Sequence, residues 1–65
     1  MTITVNGEKK EFKENTDIND LLESLKLSGK PVVVELNKEI IPKEDYDRVL
    51  SDNDKIEIVT FVGGG

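Results

Sequence analysis

Lys55-Ile56-Glu57-Ile58-Val59-Thr60-Phe61-Val62 runs without a break into Gly63-Gly64-Gly65. β-Branched and aromatic residues dominate the first eight positions, so this segment predicts a strand, the last and longest of the chain. The glycines have no side chain to pack and lose the most backbone entropy when ordered. They predict a slim tail, mobile in the free protein, and so divide the chain into a folded domain of residues 1–62 and a flexible tail of residues 63–65.

Upstream, Ser51-Asp52-Asn53-Asp54 is a dense turn signal that opens this strand. At the other end of the chain, Thr2 to Val5 alternate polar and apolar, Asn6-Gly7 is a two-residue hairpin turn, and Glu8 to Lys13 resume extended character around Phe12. Thr16 or Asp17 offers an N-cap. Ile18, Leu21, Leu22 and Leu25 then fall at i, i+3, i+4 and i+7, the apolar face of one amphipathic helix, with Gly29 as its stop. Pro31 disfavours helix at Lys30, and Val32 to Leu36 reads as a strand turning at Asn37-Lys38 into Glu39-Ile40-Ile41. Pro42 to Leu50 has no clean period and reads as a loop with one short helical turn near Lys43 to Tyr46.

The order is ββαββ, a loop, then β, which is the order of the β-grasp, or ubiquitin-like, fold. The predicted class is α+β, with one main helix packed on one face of a mixed sheet. That fold sets the first and last strands side by side in mid-sheet. Ile56 and Ile58 then face the helix, while Val59 and Phe61 point to the opposite side. There, either the loop from Pro42 to Leu50 covers them or they are left exposed as a partner site.

Composition narrows the function. The chain has 65 residues, 9 Lys plus Arg against 14 Asp plus Glu, a net charge of −5, no His and no Cys. A domain this small buries only roughly 60% of its unfolded surface and commonly adds disulfides, a metal or a partner. Without Cys and His, disulfides, Cys/His zinc sites, haem attachment and Ser-His-Asp or Cys-His catalysis are excluded by counting. The 23 hydrophobic residues include 19 Ile, Val or Leu and no Ala, which suits a thin, strand-rich core. The longest apolar run, Val32-Val33-Val34, is far too short for a membrane span, and Met1-Thr2-Ile3-Thr4 lacks the pattern of a signal peptide. The expected compartment is the cytoplasm. Acidity argues against nucleic acid and favours docking on basic enzymes.

The chemistry is expected at the tail. From Val62, four residues reach at most about 13 to 14 Å, enough to thread a narrow channel and present the Gly65 carboxylate inside another protein. An α-carboxylate is ionised and inert toward nucleophiles at neutral pH. Adenylation by ATP would convert it into a mixed anhydride open to a thiolate, a persulfide or an amine. No Gly-rich phosphate loop occurs in the chain, so a partner would supply the nucleotide site and no cofactor is expected on the chain itself.

Other constellations read as structure. Asp52-Asn53-Asp54 lacks the Gly and Glu that a calcium loop needs at its sixth and twelfth positions and is read as a turn, so no metal is expected. Glu44, Asp45 and Asp47 are read as a solvated acidic loop rather than an acid–base pair. Lys9, Lys10 and Lys13 would protect an edge strand from unwanted pairing.

The length, the element order, the segment Val34-Glu35-Leu36-Asn37-Lys38-Glu39-Ile40-Ile41-Pro42-Lys43 and the ending Asp54-Lys55-Ile56-Glu57-Ile58-Val59-Thr60-Phe61-Val62-Gly63-Gly64-Gly65 together resemble the ThiS family. These are the ubiquitin-like sulfur carrier proteins of thiamine biosynthesis. The terminal Gly-Gly is common to ubiquitin-like carriers, whereas the two longer segments are more diagnostic. The third glycine departs from members that stop at two.

The resemblance implies that a ThiF-like enzyme adenylates the Gly65 carboxylate with ATP and that a cysteine desulfurase relay supplies sulfur in place of AMP. The Gly65 thiocarboxylate then donates sulfur to thiazole synthase, the ThiG-like partner. Gly63 and Gly64 are threading residues, and Val59 and Phe61 dock the partners. The chain is then a carrier rather than an enzyme, and the lack of Cys keeps it from capturing its own activated tail. Alternatives are a sulfur carrier for molybdopterin synthesis, whose members are usually longer, a ubiquitin-like protein modifier, and a plain binding module.

Overall fold

The computed structural model describes residues 1–61. Val62, Gly63, Gly64 and Gly65 lie outside the described residues, and with them the predicted tail. Two hairpins frame the sheet. Asn6 and Gly7 both take positive φ, 49° and 86°, between β1 (Thr2–Val5) and β2 (Glu8–Glu11). Asn37 and Lys38, at 49° and 72°, repeat that geometry between β3 (Val32–Leu36) and β4 (Glu39–Ile41). A two-residue turn with both central φ positive matches the twist of its flanking strands, and this is why Asn leads each one.

The helix α1 (Ile18–Ser24) starts at Asp17, whose carboxylate accepts the Asp20 N–H at 2.8 Å while Asp20 accepts the Asp17 N–H at 3.1 Å. Thr16, the other candidate cap, donates its hydroxyl to the Lys13 carbonyl instead. The helix ends at Ser24, five residues before the predicted stop at Gly29. Lys26 takes φ 61°, its N–H donates to the Glu23 carbonyl at 3.0 Å, and the Leu27 N–H reaches back to Leu22 at 2.8 Å. These two bonds form a Schellman ending, usually built on glycine. Leu22 and Leu27 both pack with the core, and that burial fixes the stop one turn early.

The sheet order is β2-β1-β5-β3-β4, with β5 (Lys55–Thr60) in the middle, parallel to β1 and antiparallel to β3. The expected neighbourhood of first and last strands is therefore observed, and β5 is the longest strand. It ends at Thr60, leaving out Phe61, while Val62, where the sequence placed its end, lies outside the described residues. Its partner β3 begins at Val32, behind Pro31, which has no N–H to continue the ladder. Similarly β2 ends at Glu11 rather than Lys13, although the Phe12 N–H still reaches the Met1 carbonyl at 2.8 Å.

One core lies between sheet and helix. Ile3, Val5, Val34, Leu36, Ile41, Ile56 and Ile58 from the strands meet Ile18, Leu21 and Leu22 from α1, with Tyr46 and Leu50 closing the edge. The loop after β4 holds one 3-10 turn, Lys43–Asp45, where the short helical turn was expected. It packs on the helix side: the Ile18 and Asn19 N–H groups donate to the Arg48 and Tyr46 carbonyls, and the Leu50 N–H donates to Thr16. Lys9 and Lys10 lie exposed on β2, an edge strand as expected.

Candidate functional site

Strand β5 is the element that leads to the tail, and the structure fixes it from both sides. On the β1 side, the Thr4 and Asn6 N–H groups donate to the Asp54 and Ile56 carbonyls, both at 3.0 Å. The main chain then turns away at Gly7, and the Asn6 side chain takes over the ladder. Its Oδ1 accepts the Ile58 N–H at 2.7 Å and its Nδ2 donates to the Ile58 carbonyl at 3.3 Å. On the β3 side, the Asn37 side chain accepts the Lys55 N–H at 2.9 Å and donates to Asp54 Oδ1 at 3.0 Å. The Asp54 Oδ2 accepts the Ser51 N–H, and Asp52 accepts the Thr2 N–H. The Asp52-Asn53-Asp54 carboxylates thus serve the turn, as read from sequence. Among the described residues no cluster of three or more acidic, His or Cys side chains is placed to hold a metal.

Val59 and Phe61 stand on the sheet face opposite the helix, 56% and 59% exposed. Because the Pro42 to Leu50 loop lies on the helix side, it leaves that face uncovered, so the loop does not cover these two side chains as one of the two expectations had it. Val33, directly opposite Val59 across β3, extends the apolar strip, and Ile40 on β4 adds a third exposed large side chain at 68%. Ile40 was missed in the sequence reading. Its signal was the Ile40-Ile41 pair, since adjacent strand residues point to opposite faces and one of two apolar neighbours must turn outward.

The row below the apolar strip is charged. Glu35 and Glu57 are direct partners across β3 and β5, and Glu35 is also the partner of Ile40 across β4. Asn37, Lys38 and Lys55 join the two glutamates around a shallow depression. A second open cavity of about 330 Å³ lies between the helix end and the 3-10 turn, lined by Leu22, Leu27, Val32 and Tyr46 with Lys30 and Lys43. No carboxylate lines it, so it sets no acid beside a base. Glu44, Asp45 and Asp47 are exposed outside it, as expected of a solvated loop. Gly63, Gly64 and Gly65 lie outside the described residues. The last described backbone bond toward them is a long one, from the Phe61 N–H to the Pro31 carbonyl at 3.5 Å. Among the described residues no helix is long and apolar enough to cross a membrane.

Comparison with known proteins gives a consistent result. Residues 3–65 match the model of the ThiS family. The sulfur carrier protein ThiS of Bacillus subtilis (strain 168) is 54% identical over 65 residues, covering 97% of this chain and 98% of that protein. A thiazole synthase of Paramagnetospirillum magneticum is 42% identical over 66 residues, covering 100% of this chain, which spans only 20% of that longer protein. The crystal structure of the thiamine biosynthesis protein ThiS from Geobacter metallireducens matches with a TM-score of 0.81 at 36% identity, with full coverage of both chains.

Proposed function

The chain belongs to the ThiS family, and from that premise we propose that it is a sulfur carrier of thiamine biosynthesis whose working group is the Gly65 carboxylate. The observation that carries this reading is the central, doubly anchored strand β5 leading directly to Gly63-Gly64-Gly65. A carrier needs a rigid body that a partner can grip and a thin arm that the partner can swallow. Anchoring by Asn6 and Asn37 supplies the first, because docking on a fixed β5 fixes where the arm begins.

The chemistry follows from the carboxylate. A ThiF-like enzyme binds ATP, and the Gly65 carboxylate oxygen attacks the α-phosphorus, releasing pyrophosphate and leaving an acyl adenylate. The terminal sulfur of a persulfide, loaded by a cysteine desulfurase relay, attacks the carbonyl carbon and AMP leaves. Thiol cleavage of the resulting acyl disulfide leaves the thiocarboxylate on Gly65. Both thiols come from partners, since this chain has no Cys. The chain thus acts as a protein co-substrate rather than an enzyme, with Gly63 and Gly64 threading the channel and Val59 and Phe61 docking the body.

Thiazole synthase is the acceptor this reading assigns. It is supported by the Paramagnetospirillum relative, a thiazole synthase of which a segment similar to this whole chain forms a fifth. The test is the intact mass of the protein after incubation with ATP, a sulfur source and a ThiF-like enzyme. Replacement of one oxygen by sulfur, located on Gly65 by fragmentation, is the expected result. An unchanged mass beside a demonstrably active adenylating enzyme refutes the sulfur-carrier reading, and conjugates with protein lysines would identify a modifier instead.

A further inference from the structure

Asn6-Gly7 makes the first hairpin turn, and it is also the dipeptide in which asparagine is chemically least durable. Asparagine is thermolabile because the main-chain nitrogen of the next residue can attack its Cγ and close a five-membered succinimide. A side chain on that next residue crowds the nitrogen, so glycine leaves the path most open. The chain has five asparagines, and Asn6 alone is followed by glycine; Thr16, Asp20, Lys38 and Asp54 follow the others. Asn6 and Gly7 are both exposed. Among the described residues the Gly7 N–H donates to no backbone carbonyl, and no atom lies within 4 Å of where a Cβ on Gly7 would stand.

The fold works against this reactivity. Asn6 Oδ1 accepts the Ile58 N–H at 2.7 Å and Nδ2 donates to the Ile58 carbonyl at 3.3 Å, so both ends of the amide are held on β5. Closing the ring expels Nδ2 and binds Cγ to the Gly7 nitrogen, and it therefore proceeds only after the amide has left Ile58. Asn37 is a comparison within the same molecule. It leads the second hairpin at the same φ of 49°, and its amide is likewise held, by the Lys55 N–H at 2.9 Å and Asp54 Oδ1 at 3.0 Å. What differs is the following residue, Lys38 in place of glycine.

We propose that Asn6 is a modification site of this protein, deamidating through a succinimide formed with the Gly7 nitrogen, with release from Ile58 as the gate and a loosened β5 as the result. The Gly7 nitrogen gives up its proton to water and bonds to Asn6 Cγ, while the Cγ–Nδ2 bond breaks and Nδ2 leaves as ammonia. Water then opens the ring. Attack at the side-chain carbonyl gives aspartate, and attack at the main-chain carbonyl gives isoaspartate, whose main chain runs through Cβ and Cγ. Nothing is oxidised or reduced, and the net change is hydrolysis of one amide. Aspartate sets a carboxylate oxygen against the Ile58 carbonyl where an N–H had donated, and isoaspartate lengthens a turn that fits only two residues. Neither product keeps both bonds to β5, the strand that leads to the tail. The proposal does not rest on the sulfur-carrier reading.

The test ages the full chain in mildly alkaline buffer, folded and in guanidinium chloride, and follows each asparagine by peptide mass. Asn6 is expected to react first in both states, and roughly thirtyfold more slowly in the folded one, the factor that two hydrogen bonds of ordinary net strength impose. Gly7→Lys copies the Asn-Lys order of the second hairpin, where Lys38 takes φ 72°. In guanidinium chloride, where folding plays no part, this variant should keep Asn6 intact for the time in which half of the wild type reacts. The separated products should unfold at a lower urea midpoint than fresh protein. Faster reaction at Asn37 or Asn53 overturns the assignment of the site. Equal rates in the folded and denatured chain refute the gate at Ile58, and an unchanged midpoint of the products refutes the loosening of β5.

Discussion

The side chain of Asn6 offers the sharpest check on how β5 is held. Regular parallel pairing between β1 and β5 covers only Thr4 with Lys55 and Val5 with Ile56. Beyond it, the Asn6 amide alone supplies the next two bonds from that side, at 2.7 and 3.3 Å to Ile58, itself a buried core residue. Asn6→Gly removes those bonds and keeps a residue suited to the positive φ of 49°. Two bonds at about 1 kcal/mol net each, plus about 1 to 2 kcal/mol for an N–H left without its partner, give a loss of roughly 3 to 4 kcal/mol. Asn6→Ala should lose about 1 kcal/mol more, because alanine is disfavoured in the left-handed region. At roughly 0.05 to 0.15 kcal/mol per residue the whole domain holds only about 3 to 10 kcal/mol, so the change is a large fraction of its stability. Urea unfolding followed by far-UV circular dichroism measures it, and native-state hydrogen exchange at the Ile58 amide localises it. A glycine variant within about 0.5 kcal/mol of wild type, with Ile58 still protected, would show that the Asn6 side chain is not what anchors β5.

Lys26→Gly should stabilise the protein by about 0.5 to 1 kcal/mol in the same urea assay, since Lys26 ends the helix at a positive φ where glycine is favoured; a destabilised variant would contradict that account of the helix end. Ile58→Ala should cost about 3 kcal/mol while Val59→Ala stays within about 0.5 kcal/mol, because the first side chain is buried and the second faces outward. Equal losses at the two positions would mean that the outer face is covered in solution.

Much of the fold was legible because it rests on local chemistry. Asn6-Gly7 specified a turn through the positive φ it tolerates, and Asp17 could be read as a cap from the residues that follow it. The exclusion of thiol and imidazole chemistry was legible from composition alone, whereas the predicted tail lies outside the described residues. Local signals failed where two of them competed. Gly29 looked like the helix stop, yet Lys26 became it, because Leu27 gains more by packing beside Leu22 than the helix gains by continuing. The strand ends at Thr60 and Glu11 were misjudged for a related reason: a strand extends only as far as its neighbour pairs with it.

By itself the sequence determined the elements, their order, the β-branched core and the acidic charge, all properties of residues near one another in the chain. Tertiary structure decided what depends on distant partners. Only pairing across the sheet sets Glu35 opposite Glu57, or lets Asn6 complete a ladder on Ile58, 52 residues away. Only the path of the Pro42 to Leu50 loop toward the helix leaves Val59, Phe61 and Ile40 uncovered. Burial enforces these choices: a one-residue slip of β5 would turn Ile56 and Ile58 out to water, so the register that hides them also fixes which side chains meet on the open face.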